Sequence, residues 1–209
     1  MITLFIDTST STLTVALIKD DKLLEESTVS SSEHSKHTMP EIEKLFKNNN
    51  IKPKSVNKIM VTNGPGSFTG IRIGVTIAKT YAWACNINIV PISTLKAYAL
   101  SLNNYDYYIS MLDARRGYVY AGVYDKEYNE IMNDTYILLN DLIEKTKKLS
   151  NTCFISNDNI KDMDTENVKL DVQKIYDYYK NNDGVNPHSL MPNYLKKTEA
   201  EEKFGGIND

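Results

Sequence analysis

Four groups of residues have types and spacing that could do chemistry. The segment 62-TNGPGSFTGIRIG-74 places Gly64, Gly66 and Gly70 at the head of a helix, where backbone N–H groups and the helix dipole attract anions. It is not a P-loop, because GxxxxGK[ST] cannot be laid over it, and its GxGxxxG spacing is one residue too long for a Rossmann fingerprint. Asp7, followed by Thr8, Ser9, Thr10 and Ser11, sets a carboxylate beside a hydroxyl-rich turn. That pattern suits a phosphate or a metal-bound water, and equally suits local turn hydrogen bonds. His34 and His37 with Glu33 and Glu41 have helical spacing for metal ligands or for a solvated face. Asp113-Ala114-Arg115-Arg116 offers two guanidinium groups to an anion, or forms a solvated turn. No GxSxG, catalytic-cysteine signature or meaningful carboxylate pair is present.

The elements that must position these groups follow from hydrophobic period and turn chemistry. Residues 2–7, 12–18 and 22–29 read as a three-stranded antiparallel meander. A helix follows within 33–50, with Met39, Ile42, Leu45 and Phe46 on one face and Pro40 either in its first turn or kinking a longer helix. Then come a strand at 56–62, a helix at 70–84, a strand at 87–92 and a helix at 93–102. The pattern restarts with strands at 105–113 and 118–124, a helix within 136–149, a strand at 152–156 and a helical run near 171–180. This is an α/β chain with mixed sheets in two related halves. The expected division is a first lobe over 1–102 and a smaller second lobe over 103–209.

The glycine segment has a second feature. Gly70, Gly74, Ala78 and Ala82 recur every four residues, which puts them on one stripe of a helix. Each helical glycine costs about 1 kcal/mol relative to alanine, so a compensating close approach is expected. Packing is the favoured reading, with ligand contact by the loop kept as the alternative.

Composition narrows the partners. The 209 residues are 41% hydrophobic and 24% charged, an ordinary globular balance. A net charge of −3 argues against a broadly basic nucleic-acid surface. The start MITLFIDTST lacks a basic leader region, no apolar run approaches a membrane span, and Cys85 and Cys153 stand far apart. These features lead us to expect a cytoplasmic protein with reduced thiols.

Five segments together resemble the TsaB (YeaZ) family: IDTSTSTLTVAL at 6–17, NGPGSFTGIRIGVTIAK at 63–79, PISTL at 91–95, LDARRGYVYAGVY at 112–124 and PNYLKKTEAE at 192–201. The resemblance implies a two-lobed actin/Hsp70/sugar-kinase-like (ASKHA) fold. It also implies a non-catalytic subunit of the complex that transfers a threonylcarbamoyl group to the tRNA adenosine beside the anticodon. In that picture the sister subunit TsaD holds the metal and the catalysis, a P-loop ATPase, TsaE, joins, and ATP and metal belong to those other subunits. The chain would pair with TsaD, or with itself, through helices at about 33–48 and 70–84. Its expected interface residues are His34, Met39, Ile42, Phe46, Gly70, Ile71, Gly74, Ile77, Ala78 and Tyr81. On that reading Gly74→Leu abolishes assembly while the isolated chain stays largely folded.

Three departures from the family pattern matter. The sister's metal-binding histidine pair is replaced here by Ser93-Thr94-Leu95-Lys96-Ala97, so no metal chemistry is carried over. The second-lobe loop Phe154–Asn159 has no glycine, which disfavours close approach to a nucleotide. Lys196 stands where the family commonly has arginine. The competing functions are a small ATP-dependent phosphotransferase using Asp7, with Thr8 beside it, and a stand-alone homodimeric, chaperone-like module.

Overall fold

The computed structural model of the chain describes residues 1–31 and 33–196; residues 197–201 of the PNYLKKTEAE segment lie outside the described residues. The meander forms as expected: β1 (Ile2–Asp7), β2 (Thr12–Lys19) and β3 (Lys22–Ser30) are antiparallel, with Asp7 opposite Thr14. Then come α1 (His34–Asn48), β4 (Lys58–Gly64), α2 (Phe68–Cys85), β5 (Ile89–Ser93) and α3 (Thr94–Leu100). Both β4 and β5 are parallel additions, which gives the sheet order β3-β2-β1-β4-β5. The second half repeats the plan with β6 (Tyr107–Asp113), β7 (Tyr118–Asp125), β8 (Glu130–Leu138), α4 (Leu139–Thr146) and β9 (Thr152–Ile155), ordered β8-β7-β6-β9.

Two features go beyond the sequence expectations. The helix expected within 136–149 forms as α4, and 130–138 before it is an edge strand, β8, that periodicity does not show. Register shifts against β7 break its period-two pattern and leave Ile131 exposed, so no clean alternation signals a strand. The lobes also do not divide simply at residue 102. Helix α5 (Val172–Tyr179) buries Val172, Ile175 and Tyr176 against Phe5, Ile18 and Val90 of the first sheet. The chain beyond it bridges Val185 to Ile89. The first sheet is therefore covered by α1 and α2 on one face and by α3 and α5 on the other. Helix α1 is the longer alternative, running through Pro40 from His34.

The small-residue stripe of α2 faces its own sheet. Ala78 and Ala82 are fully buried in the core with Leu4, Ile6 and Val61. A Cβ on Gly70 would sit 2.1 Å from the Thr8 carbonyl oxygen. One on Gly74 would sit at 2.4 Å from Thr8 Oγ1. That hydroxyl donates to the Gly70 carbonyl at 2.7 Å and accepts from the Gly74 N–H at 3.1 Å. Packing is thus what the glycines serve, but the neighbour is the end of β1 rather than another subunit.

The expectation that Gly74→Leu spares the isolated chain is corrected accordingly, since the added side chain collides inside the first lobe. Gly70→Ala, which meets a backbone atom, is expected to lower unfolding free energy by about 2 kcal/mol, and Gly74→Leu to prevent stable folding. Urea denaturation of the isolated chain measures both, and a Gly74→Leu chain with wild-type stability would contradict this packing.

Candidate functional site

The sequence-selected groups converge on two places. The first is the cleft between the lobes, about 610 Å³, with Ser9, Thr10, Ser67 and Thr69 on one wall and Arg115, Tyr120, Asp158 and Lys196 on the other. The glycine loop reaches this cleft, yet its first free N–H is already used: Ser67 N donates to the Ser9 carbonyl at 2.7 Å. The Ser67 hydroxyl caps α2 by accepting from Gly70 N at 3.2 Å. The loop joins the β1–β2 turn to the helix start and does not form an open cradle.

Asp7 is 2% exposed and closes this junction from beneath. Its Oδ1 accepts from Ser9 N at 2.9 Å, from Ser9 Oγ at 2.7 Å and from the Thr62 hydroxyl. Burial raises its carboxyl pKa above the ordinary value, against the lowering effect of the Thr62 and Ser9 hydrogen bonds and of His34. Thr8 is likewise enclosed, and its hydroxyl is committed to α2.

The His/Glu set is not brought together. His34 is buried with Nε2 at 2.6 Å from the Thr10 carbonyl, Glu33 pairs with Lys36, and Glu41 accepts from Ser27 Oγ at 2.6 Å. Among the described residues no three His, Cys, Asp or Glu side chains are placed to share a metal ion.

Sequence reasoning missed a buried polar cluster that joins the lobes. Ser93, the N-cap of α3, donates to Asp134 Oδ2 at 2.5 Å, and Tyr124 donates to Asp134 Oδ1 at 2.6 Å. Lys96 is 4% exposed, donates to the Tyr128 carbonyl, and lies 4.7 and 4.9 Å from the Tyr124 and Tyr178 ring centroids. Burial raises the Asp134 carboxyl pKa and also that of the Tyr124 hydroxyl. The available signal was one lysine in an otherwise apolar helix, 94-TLKAYAL-100. Residues from both lobes complete one another's hydrogen bonds here, which ties the second lobe to the first.

The second place is an apolar groove of about 760 Å³ between α1 and α2, lined by Met39, Pro40, Phe46, Ile51, Pro53 and Tyr81. Tyr81 stacks on Phe46 at 6.2 Å and donates to the Pro53 carbonyl at 2.6 Å. Of the expected interface residues, Met39 is 50% exposed, and Ile77 and Tyr81 are half-buried. By contrast His34, Ile42, Phe46, Gly70, Ile71, Gly74 and Ala78 are buried within the lobe. The last group supports the surface from behind.

Two mixed sheets with related topology flank the interlobe cleft, the two-lobed actin/Hsp70/sugar-kinase-like fold. A solved structure from Pseudomonas aeruginosa, described as an uncharacterized protein with similarity to peptidase YEAZ, superposes with a TM-score of 0.76 at 18% identity, covering 93% of this chain and 99% of that one. Residues 26–191 match the family model described as TsaD, tRNA N6-adenosine threonylcarbamoyltransferase. The tRNA threonylcarbamoyladenosine biosynthesis protein TsaB of Bacillus subtilis is 34% identical across 98% of both chains. A tRNA N6-adenosine threonylcarbamoyltransferase of Persephonella marina is 27% identical over 34% of this chain and 20% of that protein. The chain belongs to the TsaB (YeaZ) family.

The buried carboxyls set a pH dependence. Because folding raises the Asp7 and Asp134 pKa values, the native state favours their protonated forms. Their contribution to stability is greatest below the ordinary carboxylate pKa of about 4 and declines as pH rises through the raised values. Asp7→Asn keeps an oxygen acceptor for Ser9 and Thr62 and removes the titration. It is expected to match or exceed wild-type stability at pH 7 and to flatten part of the decline, read by thermal unfolding across pH 4 to 8. A steeper decline in the variant would contradict this assignment.

Proposed function

We propose that this chain is an accessory subunit in tRNA threonylcarbamoyladenosine biosynthesis, docking onto a TsaD-type sister through the α1/α2 groove and activating it. The carrying observation is the groove itself: an apolar channel floored by stacked Phe46 and Tyr81 and open at Met39, with half-buried Ile77 four residues before Tyr81 on α2. Contiguous apolar surface of this kind marks interaction sites. The match of this chain to a threonylcarbamoyltransferase family model supports a partner of related fold, so that helix pair meets helix pair about a pseudo-two-fold axis. The same surface would serve self-association when the sister is absent.

Catalysis, metal and ATP are assigned to the other subunits. A TsaE-type ATPase and the tRNA substrate join through the assembly, and a tRNA substrate places the work in the cytoplasm. No helix among the described residues is long and apolar enough to cross a membrane. The phosphotransferase alternative finds less support, because Asp7 Oδ1 already accepts three hydrogen bonds and the carboxyl is 2% exposed.

Met39→Asp places charge in the groove and Ile77→Arg places it on α2 one turn from Tyr81, and neither position belongs to the glycine seat. Each is expected to weaken association with the sister by at least ~30-fold, the scale of an interface hot spot of about 2 kcal/mol, with an unchanged melting temperature. Co-purification and isothermal titration with the sister subunit measure this. Undiminished binding by both variants would overturn the proposed docking surface.

A further inference from the structure

Two aromatic–cation stacks lie outside the docking groove and next to residues of the interlobe cleft, whose lining includes Ser67 and Thr69 on either side of Phe68, and Tyr120 and Lys196 of the second stack. On the first-lobe bank the Arg72 guanidinium lies 3.9 Å from the Phe68 ring centroid and donates through Nε to the Tyr194 hydroxyl at 2.8 Å. Phe68 and Tyr194 stack at 4.9 Å and are 42% and 40% exposed. On the second-lobe bank Tyr118 and Tyr136 stack at 4.5 Å with planes 5° apart, and Tyr120 leans on Tyr136 at 5.7 Å. Lys196 Nζ lies 5.4 Å from the Tyr136 ring centroid. Tyr194 and Lys196 are two residues apart, a reach of at most about 7 Å, so both stacks flank one opening.

The β6–β7 hairpin tip adds charge in an unusual backbone. Arg115 and Arg116 have φ of 66° and 56°, a left-handed region that bulky side chains rarely adopt and where hairpins favour Asn or Gly. Strain of this kind persists where surrounding structure or function holds it. The nearby carboxylates are engaged with backbone: Asp113 Oδ1 accepts from Arg115 N, and Asp158 Oδ2 accepts from Asp113 N, each at 2.8 Å. Among the described residues, Arg72, Arg115, Arg116 and Lys196 make no ion pair.

Aromatic faces interleaved with unpaired cations hold unpaired bases by stacking and their phosphates by charge, with little regard to sequence. We propose that this rim is a contact surface for unpaired nucleotides of an RNA, with bases on the Phe68–Tyr194 and Tyr118–Tyr136 ledges and phosphates at Arg115, Arg116 and Lys196. The inference rests on the chain's proposed place in a tRNA-modifying assembly and gives it a direct part in holding substrate. A net charge of −3 confines the attraction to the rim.

The test is fluorescence anisotropy of a labelled anticodon stem-loop RNA titrated with the full chain, with a blunt RNA duplex and Mg-ATP as competitors. The variants are R115N/R116N, whose asparagines suit the left-handed backbone, and Tyr118→Ala. The double variant is expected to bind about tenfold more weakly, with a slope of log K against log salt shallower by about 1–2. Tyr118→Ala is expected to weaken binding at an unchanged slope, and neither competitor to displace the RNA at equimolar levels. Equal binding by both variants, or displacement by duplex or Mg-ATP, overturns the proposal. Since this assay uses the chain alone, its failure is separate from loss of association in the groove variants.

Discussion

A single hydroxyl sets the geometry of the first lobe. Thr8 fills the space that side chains at Gly70 and Gly74 would occupy, with its carbonyl oxygen at the first and Oγ1 at the second, and the hydroxyl bonds to the backbone of both. Beneath it, Asp7 gathers Ser9 and Thr62, so the end of β1, its turn and the start of α2 form one hydrogen-bonded unit. Two helical glycines, each unfavourable by about 1 kcal/mol, are offset by this close approach. The same arrangement closes what would otherwise be an anion-binding helix start.

Seating α2 this deeply decides which of its faces remains available. With Gly70, Gly74 and Ala78 turned to the sheet, Tyr81 stands against Phe46 of α1, and the two helices frame an apolar groove. The groove is firm because its floor is core: Ile42 and Phe46 pack into the same cluster as Leu4 and Val61. The Ser93–Asp134–Tyr124 cluster and Lys96 hold the second lobe against the first. A chain built this way presents fixed surfaces to partners, and its enclosed Asp7 is poorly placed for phosphate chemistry.

Much of this was legible in the sequence, and the remainder was hidden for identifiable reasons. The meander, the glycine-headed helix and the restart of the pattern near residue 105 follow from periodicity and turn residues. The glycine stripe reads as packing, but sequence spacing cannot say what lies on the other side, and here it is Thr8. Strand β8 escaped because bulges scramble its alternation. The return of α5 to the first sheet escaped because an amphipathic helix does not name the surface it covers. Ser93 and Asp134 lie 41 positions apart in sequence, and only the tertiary fold pairs them.

The claim at the centre of this account is that the chain supports catalysis carried out elsewhere in an assembly. Reconstitution of threonylcarbamoyladenosine formation on tRNA, with the sister subunit and the ATPase present and this chain omitted or restored, tests that claim directly. Modified nucleoside is expected only when the chain is restored, and none from the chain with ATP, precursor and tRNA alone. Full modification without the chain, or modification by the chain alone, would contradict it.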